Sequence, residues 1–275
     1  MADHILGPLY YERMGRAGRP IAFVHPNPMD QSCWIYQMGH FSTWYRCMSI
    51  DIPGYGRSPK AEPGLTRWDM AQACWEAVDD AIPDGEPPIL VGCSVGSSIV
   101  PHMYHLRPER TAAVVVCGTG YAAPGTSDTG PRRIKDYSEK GVGFRWDHTF
   151  QDFSAHFRAT PMAHYFATLF TERNDRADVQ SIIYQFAAPN PEDDSFYTTI
   201  GCPYLILTGS EDNAHPRSFA LKEKIAGCEL KVLPGAGHAC QIEQPWLFDR
   251  FMLEFLERHG LFTGTPAPAA AGAKR

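Results

Sequence analysis

The sequence contains no apolar run that is long enough to span a membrane. A transmembrane helix needs about 20 consecutive and mostly apolar residues, and every apolar segment of this 275-residue chain is much shorter. Residues 1–4 also lack the order of a secretion signal, in which basic residues precede an apolar segment. We therefore expect no membrane association and a cytoplasmic location.

The chain also lacks any cluster of basic residues. Its 25 lysines and arginines are outnumbered by 31 aspartates and glutamates, which gives a formal charge of −6. Proteins that bind nucleic acid usually carry a basic stripe that faces the phosphate backbone. We therefore expect no nucleic-acid partner.

Cysteines with the spacing of metal ligands are absent as well. The eight cysteines are scattered along the chain, and none of them forms a Cys-x-x-Cys pair. No histidine stands beside a cysteine at the spacing of a zinc site. We expect buried free thiols in a reducing compartment and no metal site.

The chain does contain a short stretch, residues 88–98, with the pattern of a strand, a sharp turn and a helix. Residues 89–91 are an apolar run typical of a strand that is buried on both faces. Ser94 lies between Gly92 and Gly96, and this Gly-x-Ser-x-Gly pattern places a serine at the apex of a strained turn. Side chains at the two glycine positions would collide with the turn. Ser94 is therefore a candidate nucleophile.

The rest of the chain alternates between apolar runs and segments with helical spacing, which predicts a doubly wound, mostly parallel α/β sheet. Strands are expected at residues 9–14, 20–25, 47–52, 89–91, 112–117, 203–208 and 229–233. Helices are expected at residues 30–42, 66–82, 97–106, 217–226 and 245–259, the second of them capped by Thr66.

The alternation breaks between residues 121 and 199. This segment begins with a Gly/Pro/Ser-rich stretch at 122–131 and continues with aromatic-rich segments at 153–170 and 179–186. We interpret residues 121–199 as a helical cap, or lid, inserted after the sixth strand. The predicted core then comprises residues 1–120 and 200–262, and residues 263–275 form a tail whose composition predicts disorder.

A serine hydroxyl is a weak nucleophile until an oriented base removes its proton. Two loops in the final third of the chain carry suitable side chains, and each loop directly follows a predicted strand. Glu211 and Asp212 follow one strand, and His238 follows the last strand. The order of serine, acid and histidine is typical of one particular fold. On position alone, the choice between Glu211 and Asp212 stays open.

Over residues 8–260 the chain resembles enzymes of the α/β-hydrolase-fold superfamily, in the branch with a serine nucleophile. Five motifs carry the resemblance: His-x-x-Pro at 25–28, Asp-Ile-Pro-Gly-Tyr-Gly-Arg-Ser at 51–58, Gly-x-Ser-x-Gly at 92–96, Gly-x-x-Asp at 209–212 and Gly-His at 237–238. The resemblance implies that Ser94 is the nucleophile, that His238 is the general base and then acid, and that Asp212 orients His238. It also implies a structural role for His25, which would brace its own loop, and no metal or organic cofactor.

The oxyanion hole of such an enzyme needs two N–H donors. The backbone N–H of Val95, just after Ser94, is one candidate. In the loop after the second strand, Pro26 and Pro28 have no N–H, so Asn27 carries the only backbone donor of the three and is predicted as the second oxyanion residue. Its side-chain amide is a further candidate for contact with the substrate. The family usually has glycine where this chain has Pro26.

Several bulky side chains are candidates for contact with a substrate, although ordinary packing explains them equally well. These candidates are His25, Trp34, Trp146, Tyr165 and Phe166. The pair Arg132-Arg133 is expected to be solvated.

A serine nucleophile implies an acyl-enzyme intermediate, whereas haloalkane dehalogenases and epoxide hydrolases of this fold use aspartate at the same position. Residues 34–37 and 237–245 resemble segments of 3-oxoadipate enol-lactonase-like enzymes. We therefore predict a carboxylesterase or lactonase that acts on a small molecule. A carbon–carbon bond hydrolase of a ring-fission diketone stays open, although the tryptophan expected soon after His238 is missing. A non-hydrolytic ligand-binding protein or lyase of the same fold, and a homo-oligomeric assembly, also stay open.

Overall fold

The chain forms one seven-stranded sheet in a computed structural model that describes residues 7–121, 130–173, 177–189, 193–262 and 264. The strands are β1 Tyr11–Met14, β2 Pro20–Val24, β3 Arg46–Ile50, β4 Ile89–Cys93, β5 Ala113–Cys117, β6 Tyr204–Gly209 and β7 Glu229–Leu233. Their spatial order is β1-β3-β2-β4-β5-β6-β7. Strand β1 is antiparallel to β3, and every other neighbouring pair is parallel. The predicted mostly parallel sheet is thereby confirmed.

Helices connect these strands at most of the predicted places. Their bounds are α1 Ile35–Phe41, α2 Arg67–Ala81, α3 Val95–Leu106, α4 Gly130–Lys140, α5 Phe144–Gln151, α6 Ala155–Arg158, α7 Pro161–Arg173, α8 Val179–Ala187, α9 Ser195–Thr198, α10 His215–Lys222, α11 Cys240–Glu243 and α12 Pro245–Arg258. The cap of α2 is a reciprocal one: Asp69 N–H donates to the Thr66 hydroxyl, and Thr66 N–H donates to the Asp69 carboxylate at 2.8 Å. Such a capping box satisfies two backbone donors that the helix cannot pair itself.

The central strands are buried on both faces, which explains why they are almost entirely apolar in sequence. Successive side chains of a strand point to opposite faces, so Ile21 and Phe23 of β2 enter one apolar layer and Ala22 and Val24 enter the other. Helices α2 and α3 pack on the layer of Ala22, and helices α1 and α12 pack on the layer of Ile21. This packing fixes the sheet whose carboxyl edge carries the loops discussed below.

The helices α4 to α9 lie between β5 and β6 in the chain. The inserted segment therefore follows the fifth strand and not the sixth, because the described residues contain a single strand, β1, before β2. Three hydrogen bonds attach α8 to the core: Ala61 N–H donates to the Ser181 hydroxyl at 3.0 Å, Arg67 Nη1 donates to the Gln185 carbonyl at 2.8 Å, and Gln185 Nε2 donates to the Pro53 carbonyl. The division into a core and a cap stays a prediction.

Two predicted features fall on other parts of the chain. The tail at 263–275, apart from residue 264, and most of the Gly/Pro/Ser-rich stretch at 122–131 lie outside the described residues. Among the residues that the structure describes, no helix combines the length and the apolar character needed to cross a bilayer.

Candidate active site

Ser94 joins β4 to α3 in a backbone conformation that serine rarely adopts. Its φ is 52° and its ψ is −114°, and no other non-glycine residue in the described part of the chain has a positive φ. A Cβ atom at Gly92 would lie 2.3 Å from the carbonyl oxygen of Gly96, and a Cβ atom at Gly96 would lie 2.2 Å from that of Val24. Only glycine fits at both positions, as the sequence predicts. Strain of this kind costs about 1–3 kcal/mol and typically marks a functional site.

The loop after β5 supports this turn from the other side. Ser97 donates from its hydroxyl to the Ser94 carbonyl at 2.5 Å and accepts from the Gly120 N–H at 2.7 Å. A Cβ atom at Gly118 would lie 2.9 Å from Cε1 of His238. The glycines of this loop therefore give the Ser94 turn and the His238 ring the space that they occupy.

His238 and Asp212 come from neighbouring loops, after β7 and β6, and their side chains meet. His238 Nδ1 lies 2.9 Å from Asp212 Oδ1, and the Asp212 side chain is 1% exposed. Burial lowers the pKa of His238, but the Asp212 carboxylate outweighs burial and raises that pKa to about 10. Burial also raises the pKa of Asp212, and the His238 charge outweighs it, so the net shift is downward. The pair favours a proton on Nδ1 and leaves Nε2 for exchange with other groups.

Glu211, the other candidate acid, does not contact His238. Its side chain is exposed, and its Oε2 accepts a hydrogen bond from the Ala155 N–H at 3.1 Å. The partner of His238 is therefore Asp212, as the family resemblance implies.

One cleft of about 400 Å³ brings together the five predicted residues of the chemistry. Ser94, Asp212 and His238 line it, and so do Asn27 and Val95. The cleft lies at the carboxyl edge of the parallel strands, because β2, β4, β6 and β7 all deliver their following loops to that edge. Ligand sites of α/β sheets typically lie at this edge.

Asn27 and Val95 both present unsatisfied polar groups there. The Asn27 side chain is 3% exposed, and neither its amide nitrogen nor its oxygen has a partner among the described residues. Buried polar atoms without partners are rare in folded proteins. Val95 is the first residue of α3, so its N–H belongs to the group that a helix leaves unpaired at its start.

His25 is fully buried and does not line the cleft in the part of the chain that the structure describes. Its Nδ1 donates to the Pro26 carbonyl at 2.8 Å, and its Nε2 accepts from the Ile52 N–H at 3.0 Å. Burial lowers its pKa to about 4, so the ring is neutral. His25 connects the loops after β2 and β3, and its candidacy for substrate contact is corrected accordingly.

The four aromatic candidates also lie elsewhere than the cleft, as far as the described residues show. Trp34 is fully buried in the core, and Trp146 donates from Nε1 to the Thr168 hydroxyl at 3.2 Å. Tyr165 is 58% exposed, and Phe166 stacks on another phenylalanine of α7. These side chains serve helix packing or face solvent, so their candidacy for substrate contact in this cleft is corrected as well.

The sequence did not reveal how the inserted segment holds the His238 loop. The Asp152 carbonyl accepts from the His238 N–H at 2.8 Å. The Glu243 carboxylate accepts from the Gly237 N–H at 3.0 Å and from the Ser154 hydroxyl at 2.6 Å. Glu243 thus links the two segments, and only its place in the motif that follows His238 pointed to it.

We expected Arg132 and Arg133 to be solvated, and this expectation is wrong for Arg133. Arg132 is exposed, but Arg133 is 8% exposed and lines the cleft. The two residues are adjacent on α4 and therefore point in different directions, about 100° apart around the helix axis.

Comparison with known proteins identifies the family of the chain. A sequence profile of the alpha/beta hydrolase family matches residues 21–248. The AB hydrolase superfamily protein YisY of Bacillus subtilis is 28% identical and aligns with 90% of this chain and 94% of its own length. The dihydrolipoyllysine-residue acetyltransferase component of the acetoin cleaving system of Pseudomonas putida is 24% identical over 91% of this chain. The chain spans 66% of the length of that relative.

Among solved structures, the enol-lactonase from Burkholderia xenovorans LB400 is similar to this chain with a TM-score of 0.79. The sequence identity is 20%, and the likeness covers 90% of this chain and 96% of the lactonase. At this identity the likeness shows a shared fold.

Proposed function

The chain belongs to the alpha/beta hydrolase family, and from that premise we propose that it is a serine hydrolase that cleaves an ester or a lactone of a small organic molecule. The observation that carries the proposal is the cleft that Ser94 shares with the His238–Asp212 pair. A serine on a strained turn, beside an imidazole that a carboxylate orients, is the arrangement that acyl transfer requires.

In the proposed first step, Ser94 Oγ attacks the carbonyl carbon of the substrate while His238 Nε2 takes the hydroxyl proton. Asp212 holds the Nδ1–H and stabilises the positive charge that develops on the ring. The carbonyl oxygen becomes negative and accepts hydrogen bonds from the backbone N–H groups of Val95 and Asn27.

In the proposed second step, His238 gives its proton to the leaving alcohol oxygen and the carbon–oxygen bond breaks. Ser94 then carries the acyl group as an ester. Water attacks this ester and His238 takes the proton of the water. The bond between the acyl carbon and Ser94 Oγ then breaks, His238 gives the proton to Ser94 Oγ, and the acid is released. With a lactone, the leaving oxygen stays attached to the acyl chain, so the product is one hydroxy acid. These side chains supply nucleophile, base and charge stabilisation, so the mechanism needs no cofactor.

The proposal is tested by trapping the acyl-enzyme. The protein is mixed with 4-nitrophenyl acetate, quenched with acid during turnover and digested, and the peptides are weighed by mass spectrometry. We expect one acetyl group on the peptide that contains Ser94, and no acetyl group there in Ser94→Ala. Ser42→Ala, at the half-buried serine directly after α1, is the matched control and should be acetylated on Ser94 like the parent.

Two results would contradict the proposal. One is acetylation at another residue with unchanged turnover in Ser94→Ala. The other is the absence of turnover with any short ester or lactone in a folded protein, which would favour a non-hydrolytic ligand-binding role for the same cleft.

A further inference from the structure

The cleft wall is rich in arginine although the chain as a whole is acidic, with a formal charge of −6. Five arginines line the cleft, and they come from four different helices: Arg67, Arg132, Arg133, Arg158 and Arg217. Because these helices are far apart in sequence, this convergence is a property of the folded chain and not of one basic segment.

Arg133 is the most informative of the five. It is 8% exposed, and its one side-chain hydrogen bond with a described residue is a long contact of 3.4 Å from Nη1 to Gln151 Oε1. The guanidinium also lies over the ring of Phe144, 5.7 Å from its centroid. No carboxylate oxygen in the described ranges lies within 4.0 Å of it. A buried guanidinium without a paired anion is costly.

Asp152 is the acidic side chain that influences Arg133 most strongly, but it compensates for this charge incompletely. Burial raises the pKa of Asp152 to about 6, so the carboxyl is mostly ionised at pH 7, but neither of its oxygens lies within 4.0 Å of the Arg133 guanidinium. Its Oδ2 is buried and has no hydrogen-bond partner among the described residues. Burial in turn lowers the pKa of Arg133, and Asp152 offsets only part of that effect.

Other arginines extend the positive surface towards solvent. Arg132 is exposed, Arg158 and Arg217 are half-buried, and none of the three forms an ion pair with a residue that the structure describes. Arg107 and Arg110, outside the cleft, behave differently, because both pair with one carboxylate at 2.6 Å. The two cleft carboxylates other than Asp152 bond elsewhere: Asp212 with His238, and Glu211 with a backbone N–H.

From this arrangement we infer that the substrate carries a carboxylate, which binds Arg133 while the ester or lactone carbonyl lies at Ser94. The inference rests on the proposed function and narrows its substrate class to esters or lactones of dicarboxylic acids. A guanidinium binds a carboxylate through two parallel hydrogen bonds, and the exposed arginines attract the anion from solution. A cleft of about 400 Å³ suits a small molecule of this kind.

The kinetic test compares substrates that differ only in charge. The mono-4-nitrophenyl ester of adipate or suberate keeps a free carboxylate, and the corresponding methyl 4-nitrophenyl diester does not. We expect the wild-type protein to prefer the half-ester in kcat/KM by about tenfold or more, as for a charge-assisted hydrogen-bonded pair. Arg133→Gln should remove most of this preference and Arg133→Lys should retain part of it. Arg250→Gln, at an exposed arginine of α12, is the matched control and should retain all of it.

A binding test separates this inference from the proposed function. Calorimetry with wild-type protein and adipate needs no turnover, and dimethyl adipate is its uncharged control. We expect adipate to bind more tightly than dimethyl adipate. We also expect Arg133→Gln, and Arg158→Gln at a more exposed arginine, to weaken the binding of adipate. Adipate binding without ester turnover would support the carboxylate site and contradict the hydrolase. Equal turnover of half-ester and diester, with no adipate binding, would overturn the carboxylate site and leave the hydrolase standing.

Discussion

The loops after β2 and β7 each hold a histidine, the first buried and the second partly exposed, and the two rings have opposite pKa shifts. His25 bonds to a backbone carbonyl and a backbone N–H, and burial lowers its pKa to about 4. His238 bonds to the Asp212 carboxylate, which raises its pKa well above the ordinary value of about 6.5. Burial alone makes an imidazole neutral, whereas a carboxylate partner lets it hold the positive charge that a general base acquires.

The two histidine rings also differ in their exposure to solvent. His25 is completely buried, whereas the side chain of His238 is 21% exposed and lines the same cleft as Ser94. A ring that only connects two loops needs no access to solvent, and a ring that exchanges protons with a substrate does. This difference supports our proposal that His238 carries out the chemistry and that His25 braces the loops.

The largest expected effect separates these two assignments. His238→Ala removes the proposed base, so kcat with a 4-nitrophenyl ester should fall by about 10⁴-fold or more. The kcat of Ser94→Ala should fall by a similar factor. The double variant should be about as impaired as either single variant, because the residues act as a unit. A His238→Ala protein that is folded and keeps a tenth of the parent rate would break the assignment.

The carboxylate partner is tested next. Asp212→Asn removes the charge that orients and stabilises the His238 ring, so we expect a loss of about 10³- to 10⁴-fold in kcat. Glu211→Gln changes the adjacent carboxyl group, which does not contact His238, and should reduce kcat by less than about tenfold. Equal losses in the two variants, measured with the same ester, would contradict the pairing.

The bracing role of His25 predicts a loss of stability. His25→Ala leaves a cavity and an unpaired Ile52 N–H, while the Pro26 carbonyl keeps its bond from the Met29 N–H, so the free energy of unfolding should fall by about 2–4 kcal/mol. Denaturant titration measures this loss, with the exposed His156→Ala as the control that should lose less than about 0.5 kcal/mol. An unchanged midpoint for His25→Ala would show that the ring does not brace the loops.

The pH dependence of activity reports on His238 directly. The proposed base must be neutral, and Asp212 raises its pKa, so kcat/KM should rise with pH above about 6.5 and continue to rise into the alkaline range. In Asp212→Asn the residual activity should rise at a lower pH than in the parent. A parent profile that is already flat above pH 6.5 would contradict the charged pair.

The smallest expected effect is the pH dependence of stability. Because the pKa of folded His238 is raised, its stabilising contribution is complete below the unfolded value of about 6.5 and is lost as the pH rises towards about 10. Between pH 6.5 and 8 this loss should reach up to about 1.4 kcal/mol per pH unit and should be absent in Asp212→Asn. The lowered pKa of His25 acts in the opposite sense, since its contribution is lost as the pH falls from about 6.5 towards 4. If the free energy of unfolding changed with pH equally in the parent and in Asp212→Asn from pH 6.5 to 8, the raised pKa of His238 would be contradicted.

The local features of the site could be predicted because each depends on a few adjacent residues. The two glycines around Ser94 exclude side chains for steric reasons that a five-residue pattern contains. The central strands are apolar because both of their faces are buried. Their positions along the chain, and the loops that follow them, could therefore also be predicted.

The long-range features could not be predicted in the same way. Arg133 and Glu243 act through contacts with segments that are distant in sequence, and their types and spacing alone did not indicate burial in the cleft or a link to the inserted helices. The aromatic candidates failed for a related reason, because an apolar side chain in a helix has the same sequence pattern in a core as in a pocket. Trp34 and Phe166 belong to the core.

The most direct test of the central claim, that the His238–Asp212 pair activates Ser94, is labelling with a small fluorophosphonate. The parent, Asp212→Asn and His25→Gln proteins are incubated with the reagent, and intact mass and peptide mapping follow the adduct with time. The account predicts a single adduct on Ser94, formed rapidly in the parent and in folded His25→Gln and far more slowly in Asp212→Asn. No adduct on folded parent protein, or equal labelling rates in the parent and Asp212→Asn, would contradict it.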